Sequence, residues 1–105
     1  MSSPKYRWWS FVRRMIRDYP ALTRSRSLSQ DDQRDYAAVS AAMEITRLMP
    51  NGDAHLDLIH RVYWAQEPQT LEGAAVRFHI SEQTAKNWHG DFVRLVAKCW
   101  GFTCE

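Results

Sequence analysis

The sequence predicts an all-α fold: a small helical domain carrying a helix-turn-helix at 70–101, with a basic aromatic helix at the N-terminus. Three observations carry this. Apolar residues recur at helical spacing along most of the chain, and no stretch alternates apolar and polar residues as a half-buried strand would. Each helical stretch is also bracketed by Ser, Thr, Asp, Pro or Gly residues that start or stop helices. At 105 residues and 45% hydrophobic, with five tryptophans as large anchors, the chain suffices for one core plus an arm. The predicted division is 1–29, a basic helix and Ser/Arg-rich loop, and 30–105, the helical domain.

Ser3-Pro4 matches an N-cap followed by the favoured first-turn proline, which predicts a helix over Pro4 to Asp18, ended by Tyr19-Pro20. Trp8, Phe11, Val12, Met15, Ile16 and Tyr19 form its apolar stripe, edged by Arg13, Arg14 and Arg17. Docking on the domain with solvated arginines is the plain reading of such a helix, and phosphate contact by those arginines is compatible with it. Thr23 to Ser29 has neither periodicity nor enough apolar surface to be rigid and reads as a mobile loop or hinge carrying Arg24 and Arg26. Ser29 is placed to cap a second helix running to about Met49. Asp31, Asp32 and Asp35 lie in its first turns, where carboxylates suit the dipole, and Tyr36, Val39 and Met43 face inward. The aspartates lack a Gly-containing calcium loop and read as a solvated turn. Pro50-Asn51-Gly52 is a turn, with Asp53 as the cap of a third helix over Ala54 to about Ala65. Leu56, Leu58, Ile59, Val62 and Tyr63 cover more than half its circumference and predict a buried element.

The last stretch bears the functional pattern. Leu71, Ala74, Ala75 and Phe78 form a short amphipathic stripe, and His79-Ile80-Ser81 turns the chain. His79 is expected to take a left-handed conformation, Ile80 to pin the turn, and Ser81 to cap a helix starting at Glu82. Ala85, Trp88, Phe92, Leu95, Val96 and Cys99 form the inner face of that helix, which Gly101 stops. Gln83, Lys86, Asn87 and Arg94 stand opposite, with Gly90 leaving a position bare. Any two short helices can imitate the motif. Here the small Ala75 at the crossing, the pin, the cap, Thr84-Ala85 and the inner Trp88 occur together, which a mere helical hairpin does not need. The predicted DNA contacts are Gln83, Lys86 and Asn87 on bases, Ser81, Arg94 and backbone N–H groups on phosphates, Thr84 at the start of the same helix, and Arg24 and Arg26 from the loop.

Charge is unevenly distributed. The net is only +2, yet Lys5, Arg7, Arg13, Arg14, Arg17, Arg24 and Arg26 face a single Asp18 in the first 28 residues. From Thr70 to Glu105, Arg77, Lys86, Arg94 and Lys98 are balanced by Glu72, Glu82, Asp91 and Glu105. The main attraction for a polyanion therefore sits at the N-terminus. Cys99 and Cys104 have no second Cys or His pair at ligand spacing, so two reduced thiols are expected and no metal. His55 and His60 are five apart and off one helical face. There is no paired-carboxylate, nucleophile-base or phosphate-loop pattern, so neither an enzyme nor a cofactor is expected. With no apolar run of membrane-spanning length and no signal-peptide centre, a cytoplasmic protein with no membrane partner is expected.

Leu58-Ile59-His60-Arg61-Val62-Tyr63-Trp64, Thr70-Leu71, Gly73-Ala74-Ala75, Ile80-Ser81-Glu82, Thr84-Ala85 and Trp88-His89 together resemble the C-terminal half of RinA-type phage transcriptional activators. Region 4 of bacterial sigma factors is similar at greater distance. The resemblance covers about Asp53 to Phe102, with Arg17-Asp18-Tyr19-Pro20 as its one echo upstream. It implies a prophage-encoded transcription activator that acts on double-stranded DNA beside RNA polymerase. Sigma-type segments often carry an acidic residue where Gly73 stands and Gly where His79 stands. Three alternatives accompany this expectation: a phage DNA-packaging protein, a phage replication protein, and a helical protein-interaction module using the Trp-rich first helix. A homodimer would double the phosphate contacts.

Overall fold

The computed structural model describes residues 7–25 and 27–101. Its helices are α1 (Trp9–Arg24), α2 (Gln30–Arg47), α3 (Gly52–Ile59), which continues into a π-helical turn at His60–Trp64, α4 (Leu71–Arg77) and α5 (Glu82–Trp100). No strand occurs among the described residues, and the fold is all-α as the periodicity predicts. The Ser3-Pro4 helix start, Arg26 and Cys104 lie outside the described residues. The chain forms two compact units: Met1–Ala42 with Val93–Glu105, and Met43–Phe92. The unit boundaries fall inside α2 and α5, whereas the sequence places its division at residue 29.

In the first unit, Val12, Met15 and Ile16 of α1 are buried, as are Ala38, Val39 and Ala42 of α2 and Val93, Val96 and Ala97 of α5. The helix does not end at Tyr19-Pro20: α1 runs through Pro20 to Arg24. An interior proline removes one rung of the helix. Tertiary contacts on either side of it hold the chain helical. The Tyr19 ring stacks on Tyr36 at 5.3 Å and its hydroxyl is 3.0 Å from Ser40 Oγ, while Leu22 extends the partly buried stripe beyond the proline. Tyr36 is consequently half-exposed in this stack, not inward-facing as the spacing predicts. Ser29 caps α2 as expected, its Oγ accepting from the Asp32 N–H at 3.1 Å.

Trp100 closes this unit. Its Nε1 donates to Asp35 Oδ1 at 2.8 Å, the Arg34 guanidinium lies 3.8 Å over the ring, and Phe11 meets it edge-on at 5.8 Å. Burial is the main influence raising the Asp35 carboxyl above its ordinary value, against the lowering effect of the Trp100 bond. Gly101 ends α5 at φ 114, a backbone setting suited to glycine.

The second unit starts at the end of α2. Asn51, at φ 60, turns the chain into α3, and Gly52 passes so close to α2 that a Cβ there would lie 2.0 Å from the Thr46 carbonyl oxygen. The helix therefore starts at Gly52, and Asp53 is a first-turn residue instead of its cap. The predicted single helix to Ala65 also changes pitch: the Ala65 N–H donates to the His60 carbonyl, five residues back, at 2.8 Å. Leu58, Ile59 and Tyr63, which flank this change of pitch, are all buried. Thr70 caps α4, its Oγ1 accepting from the Gly73 N–H at 3.1 Å.

Candidate nucleic-acid interface

The turn between α4 and α5 is built from backbone hydrogen bonds of a defined kind. The Ile80 N–H donates to the Ala75 carbonyl at 3.0 Å and the His79 N–H to the Val76 carbonyl at 3.2 Å. This pair of six-to-one and five-to-two bonds is the Schellman ending, with His79 at the position glycine usually holds and at φ 57. The ending characteristically brings the residue after the left-handed position against the helix it leaves. Ile80 does this, packing with Val62, Leu71, Phe78 and Trp88 on a cluster of Leu58, Ala74, Ala75 and Ala85. Three of those four are alanines, which allow close approach of helical backbones.

Ser81 then starts α5. Its Oγ accepts from the Thr84 N–H at 3.0 Å and donates to Thr84 Oγ1 at 2.8 Å. The Ser81 hydroxyl is thus committed to the cap, while the Thr84 hydroxyl keeps its own proton for an acceptor outside. The inner face holds Ala85, His89, Gly90 and Phe92 as buried residues. Gly90 is therefore part of the packing and not a bare outer position. Cys99 is exposed, off the inner face on which the spacing places it. Partial burial nevertheless pushes its thiol up from the ordinary value.

Gln83, Lys86 and Asn87 are all exposed on the first two turns of α5. Gln83 Nε2 donates to Asn87 Oδ1 at 3.0 Å, so the two amides form one hydrogen-bonded plate that retains donors from both amides and the Gln83 carbonyl as an acceptor. Lys86 Nζ lies 3.0 Å from Glu82 Oε2, with both side chains about half exposed. Such an exposed pair is worth on the order of 0.3 to 0.5 kcal/mol, so it opens readily towards a stronger anion.

Two aromatic pairs brace this surface from behind. Tyr63 Oη and His89 Nε2 are 2.6 Å apart in a buried, stacked pair that joins the π turn to α5. His55 of α3 stacks on Trp88 at 4.2 Å. Burial lowers the His55 pKa, opposed in part by the Asp91 carboxylate. The position of His89, four residues after Ala85, is the signal that could have placed it on the inner stripe.

The structure brings Ser81, Gln83, Thr84, Lys86 and Asn87 together within the unit Met43–Phe92. Arg24 and Arg94, both exposed, belong to the other unit. Arg24 ends α1 and is not a loop residue. The unit that carries the exposed amides has four cations, Arg47, Arg61, Arg77 and Lys86, against seven carboxylates: Glu44, Asp53, Asp57, Glu67, Glu72, Glu82 and Asp91.

Among the described residues no three His, Cys, Asp or Glu side chains gather as a metal site would require, and no helix is long and apolar enough to cross a membrane. No protein-family model, curated protein or solved structure matches the chain.

Proposed function

We propose that the protein is a sequence-specific double-stranded DNA-binding transcription regulator whose reading element is the start of α5. The observation that supports this best is the Schellman turn that leads, through the Ser81 cap, into a helix whose first two turns expose Gln83, Lys86 and Asn87. Entry of a helix N-terminus into the major groove is how helix-turn-helix proteins read sequence, and amide side chains pair with the two adjacent edge atoms of adenine. The Gln83–Asn87 bond holds both amides at the surface before any base arrives. Thr84 and the N–H groups of the first turn serve as phosphate donors, and Lys86 leaves Glu82 for a base or a phosphate.

The resemblance to RinA-type activators supports a prophage setting and action beside RNA polymerase. The DNA-packaging, replication and protein-interaction alternatives differ from this in the ligand bound and in the effect of binding on transcription. Selection of bound duplexes from a random pool should converge on a consensus, and the consensus should direct run-off transcription that depends on the protein. Asn87→Ala should weaken binding to that consensus by about 1 to 3 kcal/mol and leave binding to scrambled duplex nearly unchanged. Equal losses on both duplexes would remove Asn87 from base reading, and a pool that never converges would sink the proposal.

A further inference from the structure

The unit carrying the amide plate is acidic on balance, so strong attachment to a phosphate backbone must draw on cations elsewhere in the chain. The extension of α1 past Pro20 supplies them. With the helix running to Arg24, Arg14, Arg17 and Arg24 stand at i, i+3 and i+10 of one element. At 3.6 residues per turn they fall within about 80° of its circumference and span about 15 Å of its length. All three are exposed, and among the described residues none of them makes an ion pair. From the sequence this alignment was hidden, because a helix ended by the proline leaves Arg24 in a loop.

We propose that this arginine stripe on α1 is a sequence-independent contact surface for the phosphate backbone of duplex DNA. The stripe covers a length over which one strand presents about four phosphates, and each guanidinium can hold a phosphate through two parallel N–H bonds. A membrane surface is a poorer fit to α1 itself. An interfacial helix must put its apolar face into lipid, whereas Val12, Met15 and Ile16 are at most 3% exposed, already used in the core. Asp18, the acidic residue of α1, lines a groove with Arg14, Asp32 and Asp35, so Arg14 is the most compensated of the three. Arg17 and Arg24 carry more of the contact.

The stripe shares its ligand class with the proposed reading helix but stands on different residues, and the full-length chain tests them separately. Arg14, Arg17 and Arg24 changed together to Gln should weaken binding to consensus and scrambled duplex alike. The log–log salt dependence should become less steep by up to about 2.7, at about 0.9 per lost contact. The same three positions changed to Lys should keep most of the slope, since the charge remains. Circular dichroism and thermal melting establish that both variants fold. If the Gln variant keeps the parent's affinity and slope, the stripe does not touch DNA. A parent that shows no sequence preference, but whose slope flattens in the Gln variant, supports the stripe while sinking base reading by α5. A parent that ignores duplex DNA at low salt and binds phosphatidylserine vesicles overturns the stripe as a DNA surface.

Discussion

His79 shows how a single backbone angle organises the candidate site. It sits at φ 57 where the Schellman ending favours glycine, and the two hydrogen bonds that close the turn flank it. A left-handed L-residue carries a conformational cost of roughly 1 to 2 kcal/mol, less for a polar residue that can hydrogen-bond locally. Glycine relieves that cost but loses more freedom on folding. His79→Gly should therefore stabilise the chain by about 0.5 to 1 kcal/mol, and His79→Val should destabilise it by at least as much, both read from urea unfolding. Equal stability of all three proteins would mean that the turn is not held at positive φ. Gly52 is the opposite case: its requirement is for space, because the Thr46 carbonyl occupies the place of a side chain. In the sequence the demand at Gly52 is ambiguous, since Pro50-Asn51-Gly52 marks a turn without saying which residue bends and which merely passes close by.

Among the elements, α1 and α3 depart from what their sequences predict, for a common reason. Local rules place a stop at Tyr19-Pro20 and a uniform pitch from Ala54 to Ala65. In α1 the Tyr19 contacts with Tyr36 and Ser40 and the partial burial of Leu22 offset the lost rung at Pro20. In α3 the π turn accompanies the burial of Tyr63 in its pair with His89. A proline inside a helix costs about 3 kcal/mol against alanine, partly recovered through the stiffer unfolded chain. Pro20→Ala should thus raise stability by about 1 to 3 kcal/mol while helical circular dichroism is kept or increased. A loss of stability would show that the proline's fixed φ is itself needed there. The elements whose starts are set by side-chain caps agree with the sequence: Ser29 for α2 and Ser81 for α5 both make the expected bond. A cap is a local interaction, and local interactions are what a sequence displays.

For the molecule as a whole, His55 contributes a pH dependence of stability whose direction follows from its lowered pKa. Burial against Trp88 lowers its pKa below the ordinary 6.5, so the unfolded chain takes up its proton first as the solution is acidified. The contribution of neutral His55 is then complete above about pH 6.5 and is lost as the pH falls through the lower folded-state value. Unfolding midpoints measured from about pH 7.5 to about pH 5 should fall for the parent and fall less for His55→Phe, which keeps a ring on Trp88 without the titration. A parent curve no steeper than the variant's would place the acid sensitivity elsewhere.

Legible in the residues alone were the all-α class, the places where α2, α4 and α5 begin, the left-handed turn at His79, and the exposed trio Gln83, Lys86 and Asn87. Each of these follows from periodicity, a cap or a turn residue, all of which act within a few positions along the chain. Packing between distant segments was needed to carry α1 on to Arg24 and so gather Arg14, Arg17 and Arg24 on one face. Packing likewise made Gly90 and His89 interior and left Cys99 exposed. Those outcomes depend on which residues distant in sequence come to lie against them, and burial of a stripe or a ring can outweigh the preference of one proline or one regular turn.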